Sequence, residues 1–564
     1  MPDLVHHREV TCAPHSPDGG FARPATILSD AGPASLGLDP APIAEAVARI
    51  HTYEQDTPDG HPLFAGAVGI MGHAGRIVER DASGWALRHA DATNELPRDE
   101  WVPMRADTIF DLASVSKLFT SIAVVQLIEE GHVPLESPVA AHLPEFAANG
   151  KQAVTVRQLL THTSGFTSEL PLWSAWPDKA SRIEAVLDQP LVDPAGSTYR
   201  YSDLNLITLG VLVEKLRGEP LDAVVRRHLT APLGMDDTGY NPADRSRTAA
   251  TEYQTAPPRG MVRGEVHDEN AWSLGGVAGH AGVFSTADDL AILAQALLNG
   301  GTYRGRRILE PSSVELLVTD FNQAFAGDSH GLGFELDQRW YMDALSGPRS
   351  AGHTGYTGTS IVIDFASRSF AVLLTNRVHP SRDWGSVNVA RRAWARGLAS
   401  ALPVLAQAER TSWYAASSDA TTATLTTAPL AVDVGGARLG FDLLVDTKET
   451  GLLHLERSTD AGTTWTPVAF AVKDRGTTSQ TDEAADDSVD GSGTRRWVEA
   501  RAALEPGTQL LRWRLVPDAN HPGRGVALDR IRVTGSQGVL LDAEHHPDAL
   551  TSAGWQPTGR DAVA

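Results

Sequence analysis

The order of hydrophobic patterns along the first 400 residues is the feature that most restricts the fold. Residues 65–87, AGAVGIMGHAGRIVERDASGWAL, have the pattern of two strands around the turn His73-Ala74-Gly75. Helical periodicity begins near residue 40 and dominates from 115 to about 300, and strand patterns return after residue 330. We therefore expect an α/β (α+β) fold in which the two strand regions meet in one antiparallel sheet, with flanking helices and an inserted helical lobe.

Composition changes near residue 400 and predicts a second domain. Residues 1–40 are rich in Pro, Gly and Ala and are expected to be a leader, whereas residues 41–402 form the mixed α and β unit. Residues 403–428, rich in Ala, Ser and Thr, are expected to be a linker. Short alternating segments follow in residues 429–564, which predicts a C-terminal all-β sandwich, jelly-roll-like, with a tail.

The charge of the chain excludes one large class of partner. The formal net charge is −22, which repels phosphate backbones, so we expect no nucleic acid to bind. No apolar run approaches the roughly 18 residues of a membrane-spanning helix. The N-terminus shows neither a basic n-region nor an apolar h-region, so no signal peptide is visible and the localisation is left open.

The stretch DLASVSKLFT, residues 111–120, places Ser114 and Lys117 at the start of an apolar helix. A serine hydroxyl needs a base in contact to act as a nucleophile, and residues three apart lie on one helix face. Burial and the helix dipole disfavour an ammonium here, so we expect Lys117 to be a neutral amine. The alternative is that neither residue is catalytic: the serine lies near a helix start, and the lysine extends its ammonium group to solvent.

Two later motifs complete a set of three. Tyr201 lies in YSD before a predicted helix, and His353-Thr354-Gly355 opens a predicted strand. The set SVSK, YSD and HTG resembles the signature of the serine β-lactamase and penicillin-binding-protein family, nearest to its class C-like, esterase and muropeptide amidase members. The resemblance covers roughly residues 40–400 and implies a β-lactamase-like fold with no cofactor and no metal.

The resemblance also implies roles for individual residues. Ser114 corresponds to the acylated nucleophile, Lys117 to its activating partner and Tyr201 to the hydroxyl that moves protons. The backbone N–H groups of Ser114 and Tyr356 correspond to the oxyanion hole, and Thr354 and Gly355 to the strand along which substrate lies.

Two positions depart from the family pattern. Asp203 replaces the usual Asn, so a neutral amide becomes a carboxylate that could instead hold Lys117 charged. His353 replaces the usual Lys and removes a positive charge that would attract a substrate carboxylate. These departures weaken the case for a β-lactamase or a D-alanyl-D-alanine carboxypeptidase, and they leave amidases, aminopeptidases and esterases.

A further stretch, GEVHDENAWSLGGVAGHAGVFSTADDL at residues 264–290, resembles a segment of the muropeptide amidase branch. We expect His267 and His280 within it to line the substrate site. A structural turn with capping residues is the alternative, and a metal site lacks the H-E-x-x-H pairing on a helix. His162, in LLTHTSGF, is expected to be structural.

The sequence thus predicts a serine hydrolase that acts through a Ser114 acyl-enzyme on a peptide, muropeptide or ester. The favoured substrate is an N-acetylmuramyl-L-alanine amide; the alternatives are a carboxylesterase, a D-amino-acid peptidase, and a non-catalytic penicillin-binding-like receptor. Trp465, Trp497 and Trp513 of the C-terminal domain could contact glycan or cell wall, although such residues more often fill a sandwich core. Modules of this type are common in secreted hydrolases, which weakly favours an extracytoplasmic location.

Overall fold

A computed structural model describes residues 20–58, 60–403, 412–416, 421–447, 452–474, 488–489, 497–517 and 525–558. The helices within these ranges are α1 (Pro40–Thr52), α2 (Ser116–Glu129), α3 (Val156–Leu160), α4 (Leu172–Ala175), α5 (Lys179–Asp188), α6 (Asp203–Arg217), α7 (Leu221–Val225), α8 (Ala231–Leu233), α9 (Glu269–Ser273), α10 (Ala287–Leu298), α11 (Pro311–Leu317), α12 (Arg339–Met342) and α13 (Asn388–Ala401).

The strands of the first domain are β1 (Ser29–Asp30), β2 (Gly66–His73), β3 (Arg76–Leu87), β4 (Val102–Pro103), β5 (Phe110–Asp111), β6 (Gly239–Tyr240), β7 (Ala250–Gln254), β8 (Gly260–Arg263), β9 (Val283–Ser285), β10 (Thr302–Tyr303), β11 (Arg306–Arg307), β12 (Glu335–Leu336), β13 (Ser350–Thr354), β14 (Thr359–Asp364) and β15 (Ser369–Thr375).

One central sheet joins the two ends of the first domain. Its order is β1-β3-β2-β15-β14-β13-β12, with β4 paired to β3. β15 lies antiparallel to β2, with Ser369 opposite His73 and Thr375 opposite Ala67. The expectation that the early and late strands meet in one sheet is therefore confirmed; only the two-residue strand β1 pairs in parallel.

Helices cover both faces of this sheet. α1 and α13 pack together on one face, where the indole of Trp394 lies so close to Gly69 that a Cβ there would approach it to 2.4 Å. α10 packs against β2, β14 and β15 on the other face, next to the helical lobe. Burial of both faces explains why β2 and β15 read as nearly continuous apolar segments.

Helix α2 runs through the middle of the lobe and packs against α6. Every residue from Ser116 to Leu127 is buried, so the helix is surrounded by protein on all sides. Lys117 is therefore enclosed as well, with 1% of its surface exposed.

The C-terminal domain is built from β16 (Ser412–Ala416), β17 (Ala423–Thr427), β18 (Leu430–Val432), β19 (Ala437–Asp446), β20 (Leu452–Ser458), β21 (Thr466–Pro467), β22 (Ala471–Asp474), β23 (Ser488–Val489), β24 (Trp497–Leu504), β25 (Gly507–Val516), β26 (Gly525–Gly535), β27 (Gly538–Asp542), β28 (Leu550–Ala553) and β29 (Gln556–Thr558). Its two antiparallel sheets follow the orders β22-β24-β19-β26-β16-β29 and β21-β20-β25-β17-β28, and enclose one apolar core.

The predicted boundary between the linker and the second domain differs from the structure. β16 and β17 lie inside the segment expected to be a linker, yet they pair with β26 and β25. Their alternating Trp413, Ala415, Ala423 and Leu425 side chains enter the sandwich core, so the second domain begins before residue 429. Composition alone hid this pattern, because small residues and threonines suit both linkers and sandwich strands.

The part of the predicted leader that is described packs onto the first domain. Ala22 N–H donates to Leu298 O at 2.7 Å, and the Phe21 ring meets Phe365 edge to face at 6.2 Å. Residues 1–19 lie outside the described ranges. Among the described helices, none combines the length and the apolar character needed to cross a membrane.

Candidate active site

Ser114 lies in a tight turn just before α2. A 3₁₀ turn over Ala113–Val115 connects β5 to the helix, and Ala113 adopts a left-handed backbone with φ of 46°. Asp111 Oδ1 stabilises the turn by accepting a hydrogen bond from the Ala113 N–H at 2.9 Å. A non-glycine residue in this conformation stores backbone strain, a feature that clusters at functional sites.

Lys117 is the hub of the site. Its Nζ donates to Ser114 Oγ at 2.8 Å and to the backbone oxygen of His280 at 3.3 Å. It also forms an ion pair with Asp203 Oδ1 at 2.9 Å. Burial acts to lower the pKa of Lys117, but the negative charge of Asp203 and the hydrogen bonds to Asp203 and Tyr201 outweigh it, so the pKa is raised.

The expectation of a neutral lysine is therefore wrong. Burial and the helix terminus favoured that expectation, whereas the alternative, that Asp203 holds Lys117 charged, agrees with the structure. Asp203, the first residue of α6, supplies that carboxylate and keeps Lys117 positively charged.

Tyr201 lies two residues before α6 and beside Lys117, whose Nζ is 4.8 Å from the centre of the Tyr201 ring. Burial raises the pKa of Tyr201 and Lys117 opposes that rise, so the phenol keeps its proton near neutral pH. The ring packs on His162, with centroids 4.6 Å apart. His162 Nδ1 accepts hydrogen bonds from Ser202 N–H and Asn205 Nδ2, each at 3.1 Å, so His162 fixes the segment that carries Tyr201.

The turn after β13 is fastened to the segment before Ser114. Thr357 Oγ1 donates to Asp111 O at 2.7 Å, and Thr359 Oγ1 donates to Leu112 O at 2.9 Å. A Cβ at Gly355 would approach Leu112 O to 2.3 Å, so only glycine permits this contact. The sequence motif HTG thus reflects a close approach of two backbones.

This fastening places two backbone donors at the same end of the sheet. In the described loops, the amide N–H groups of Ser114 and Tyr356 donate to none of the backbone acceptors. Both groups therefore keep a hydrogen bond available for a developing oxyanion. Arg391 supports the turn from below, where its Nη2 donates to Gly355 O at 2.6 Å and to Thr359 O at 3.1 Å.

His353 is buried, with 1% of its surface exposed, and its ring lies 6.1 Å from that of Tyr201. Its Nδ1–H donates to Thr354 O at 2.7 Å, whereas Nε2 has no partner among the described residues. Burial, with the nearby charge of Lys117, lowers the pKa of His353 to about 3. His353 is therefore neutral near pH 7 and does not replace the positive charge of the usual lysine.

His267 and His280 lie at different distances from the chemistry. His267 is buried behind the Tyr356 ring, which it meets at 5.9 Å, and its Nε2–H donates to Glu252 Oε2 at 2.9 Å. His280 contacts Lys117 only through its backbone oxygen, while its Nε2–H donates to Asp268 Oδ1 at 3.0 Å. The structure thus gives both imidazoles carboxylate partners of their own.

Asp203, Asp268 and His280 form a cluster whose potential ligand atoms lie within 4.8 Å of one another. Such a set could hold a cation in principle. Lys117 already supplies a positive charge 2.9 Å from Asp203, which repels a metal ion from the same position.

The structure thus brings Ser114, Lys117, Tyr201, Asp203 and the His353 strand together and leaves the His267 side chain behind Tyr356. The sequence reasoning missed the contribution of Asp268, although its place before α9 is a recognisable helix N-cap. It also missed Asp111 and Arg391, for which the sequence offers no local signal.

The first domain is similar to known proteins along most of its length. A family model described as Beta-lactamase matches residues 57–395. The N-acetylmuramyl-L-alanine amidase of Bacillus subtilis (strain 168) is 34% identical over 362 residues, which are 58% of this chain and 79% of that protein. A putative D-alanyl-D-alanine carboxypeptidase of Escherichia coli (strain K12) is 32% identical over 339 residues, 54% of this chain and 76% of that protein.

Among solved structures, the chain is similar to EstCE1, described as a hydrolase with promiscuous acyltransferase activity. The TM-score is 0.50 at 22% identity, and the match covers 64% of this chain and 99% of that one. At this identity the likeness concerns the fold.

Proposed function

We propose that this chain, which belongs to the Beta-lactamase family of serine hydrolases, cleaves the amide bond between N-acetylmuramic acid and L-alanine in peptidoglycan fragments. The observation that carries the chemistry is the contact of Ser114 Oγ with a charged, buried Lys117 at 2.8 Å, with the Tyr201 ring centre 4.8 Å from the same Lys117 Nζ. A receptor without catalysis has no need of this arrangement.

The charges at the site favour a proton relay through Tyr201. Ser114 Oγ forms a bond to the carbonyl carbon while its proton passes to Tyr201 Oη, and Tyr201 gives its own proton to the leaving nitrogen. Lys117 remains an ammonium throughout and stabilises negative charge that develops on Tyr201. The amide N–H groups of Ser114 and Tyr356 stabilise the tetrahedral oxyanion.

The acyl-enzyme is then hydrolysed by the same groups in reverse. Water attacks the ester carbon and gives a proton to Tyr201 Oη, while the Tyr201 proton returns to Ser114 Oγ as the ester bond breaks. This sequence restores the starting protonation states and consumes one water molecule.

Support for the muramyl amide comes from the relatives and from two side chains. The Bacillus subtilis relative is named for this bond and is similar across 79% of its own length. His353 is neutral and Asp203 is a carboxylate, so the buried positions nearest Ser114 offer a substrate carboxylate no cation beyond Lys117, which is already paired. That charge pattern disfavours a β-lactam or a D-alanyl-D-alanine terminus next to His353.

The test is mass spectrometry of N-acetylmuramyl-L-alanyl-D-glutamate after incubation with the wild-type chain and with Ser114→Ala. We expect free N-acetylmuramic acid and intact dipeptide from the wild type only. An intact substrate with the wild type would contradict the proposal. Release of D-alanine from a D-alanyl-D-alanine peptide, or hydrolysis of a p-nitrophenyl ester alone, would then point to a carboxypeptidase or to an esterase.

A further inference from the structure

We infer that Arg377 is the residue that recognises a carboxylate of the substrate, on the peptide side of the scissile amide. This inference rests on the proposed function, because it assigns the acidic peptide of a muramyl peptide to the side of the site where Tyr356 lies. Arg377 lies two residues after the end of β15 and belongs to none of the sequence motifs described above.

Arg377 lies beside the turn that presents the Tyr356 amide. Its own N–H donates to Thr357 O at 3.0 Å, which fixes its backbone to that turn. Its guanidinium carbon lies 4.9 Å from the centre of the Tyr356 ring. The Tyr356 side chain is 50% exposed, so the guanidinium stands at the solvent-accessible rim of the site.

The charge of Arg377 is uncompensated, unlike that of Arg382. Arg382 forms ion pairs with Glu252 and Glu269. Among the described residues, Arg377 is paired with no carboxylate, and its guanidinium donates to one protein acceptor, Arg382 O, at 3.0 Å. Several N–H groups of the planar Arg377 guanidinium thus remain to donate hydrogen bonds to a carboxylate ligand.

A second guanidinium nearby makes an anion at this place more favourable. Arg391 is buried under the Gly355 turn, and burial together with the charge of Arg377 lowers the pKa of Arg391 to about 10. Two positive groups in this region repel each other, and an anion bound at Arg377 would relieve that repulsion.

Carboxylates gather around Glu169. Burial and the charges of Asp203, Asp268 and Glu269 raise the pKa of Glu169, which shows that negative potential accumulates there. A muramyl peptide has hydroxyl groups on its sugar and carboxylates on its peptide. Charge complementarity therefore directs the acidic peptide toward Arg377 and away from these carboxylates.

The decisive comparison uses two substrates and three variants. The substrates are N-acetylmuramyl-L-alanyl-D-glutamate and its diamide, in which both carboxylates are carboxamides. Arg377→Gln should raise KM for the acid by about 10- to 100-fold, the range for a charge-assisted hydrogen bond, with kcat within twofold. The diamide should change by less than threefold, and Arg377→Lys should recover part of the loss.

Arg306→Gln serves as the matched control, because Arg306 is exposed on the β10–β11 hairpin and should leave both substrates unaffected. An equal loss on both substrates with Arg377→Gln, or a loss confined to kcat, would mean that Arg377 acts only through the structure of the turn. Either result would overturn the inference.

Calorimetric titration separates this inference from the proposed function, because it needs no turnover. L-Alanyl-D-glutamate should bind the full-length wild type and bind Arg377→Gln at least tenfold more weakly, while its diamide binds both equally weakly. If the wild type binds the dipeptide in this way but hydrolyses neither substrate, the proposed function fails and the carboxylate site stands. Equal binding to both proteins, or no binding to the wild type, overturns the site.

Discussion

Lys117 and His353 are two basic side chains in one active site, each with 1% of its surface exposed, and they have opposite charge states. Lys117 keeps a raised pKa and is an ammonium. His353 has a pKa lowered to about 3 and is neutral. Burial is the same for both, so burial alone does not decide which group carries a charge.

The partners of the two side chains explain the difference. Lys117 contacts Asp203 at 2.9 Å, and the attraction exceeds the cost of removing the ammonium from water. The charged neighbours that act on His353, Lys117 and Arg391, are positive and lower its pKa further. Asp203, where the family usually has Asn, thus keeps Lys117 charged. His353, where the family usually has Lys, leaves its own position neutral.

The largest effect should come from removing the charged member of the pair. Lys117→Ala should lower kcat by about 10³-fold or more, because Tyr201 loses the ammonium that stabilises it and Ser114 loses its hydrogen-bond partner. Steady-state kinetics on the muramyl peptide will measure this loss, and circular dichroism will check that the fold is kept. Lys179→Ala, at the exposed start of α5, is the matched control. Turnover within tenfold of wild type would contradict a catalytic Lys117.

The second effect concerns whether Lys117 must carry its positive charge. In Asp203→Asn, burial is no longer opposed by a carboxylate, so the pKa of Lys117 should fall. A site that needs the ammonium should then lose about 10- to 100-fold in kcat/KM at pH 8 and less at pH 6, because lower pH restores the proton. The pH profile of kcat/KM measures this shift.

The opposite outcome would reverse the mechanism. If Lys117 acts as a neutral base, Asp203→Asn should raise activity at neutral pH, since more of the lysine would be free of its proton. Asp99→Asn, an exposed residue outside the site, controls for effects of net charge.

The sequence was sufficient for the features that depend on local pattern and on chain order. The β2–β3 hairpin, α1, and the meeting of β2 with β15 follow from hydrophobic periodicity. The sequence raised the possibility that Asp203 holds Lys117 charged but could not decide it, because the outcome depends on how closely the two side chains approach in the fold. The pairing of His267 with Glu252 was likewise beyond the sequence, because it comes from the packing of β7, and the contact of His267 with substrate stays a prediction.

The second domain shows the same limit. Trp513 was one of three candidates for glycan contact, but it is fully buried in the sandwich core beside Phe441. Trp465 lies under the guanidinium of Arg512, 4.0 Å from its ring centre. Alternation identified the strands, whereas the face on which each tryptophan lies depends on strand register and on packing between the sheets.

A third prediction concerns a charge introduced at His353, the neutral member of the pair. His353→Lys places a second ammonium in a buried position close to Lys117 and Arg391. We expect the free energy of unfolding to fall by about 3 kcal/mol or more, against about 1 kcal/mol for the neutral His353→Gln. Urea denaturation of both variants provides the comparison. Equal losses would mean that the site tolerates a charge at this position.

The smallest predicted effect is a pH dependence of stability that belongs to His353. In the unfolded chain this histidine gains a proton as pH falls below about 6.5, whereas in the folded chain it stays neutral down to a pKa of about 3. The unfolded state therefore binds more protons in this window, and stability decreases as pH falls. Between pH 6.5 and 5 the loss due to this one group is about 2 kcal/mol.

His353→Gln removes that titration and isolates it from other buried histidines. His162, His330 and His379 also have lowered pKa values and contribute to acid sensitivity in both proteins. Urea denaturation at pH 6.5 and pH 5 should therefore show a shallower decline for His353→Gln than for the wild type, by about 2 kcal/mol. An identical decline would mean that His353 takes up a proton in the folded state as readily as in the unfolded one, and the contrast with Lys117 would disappear.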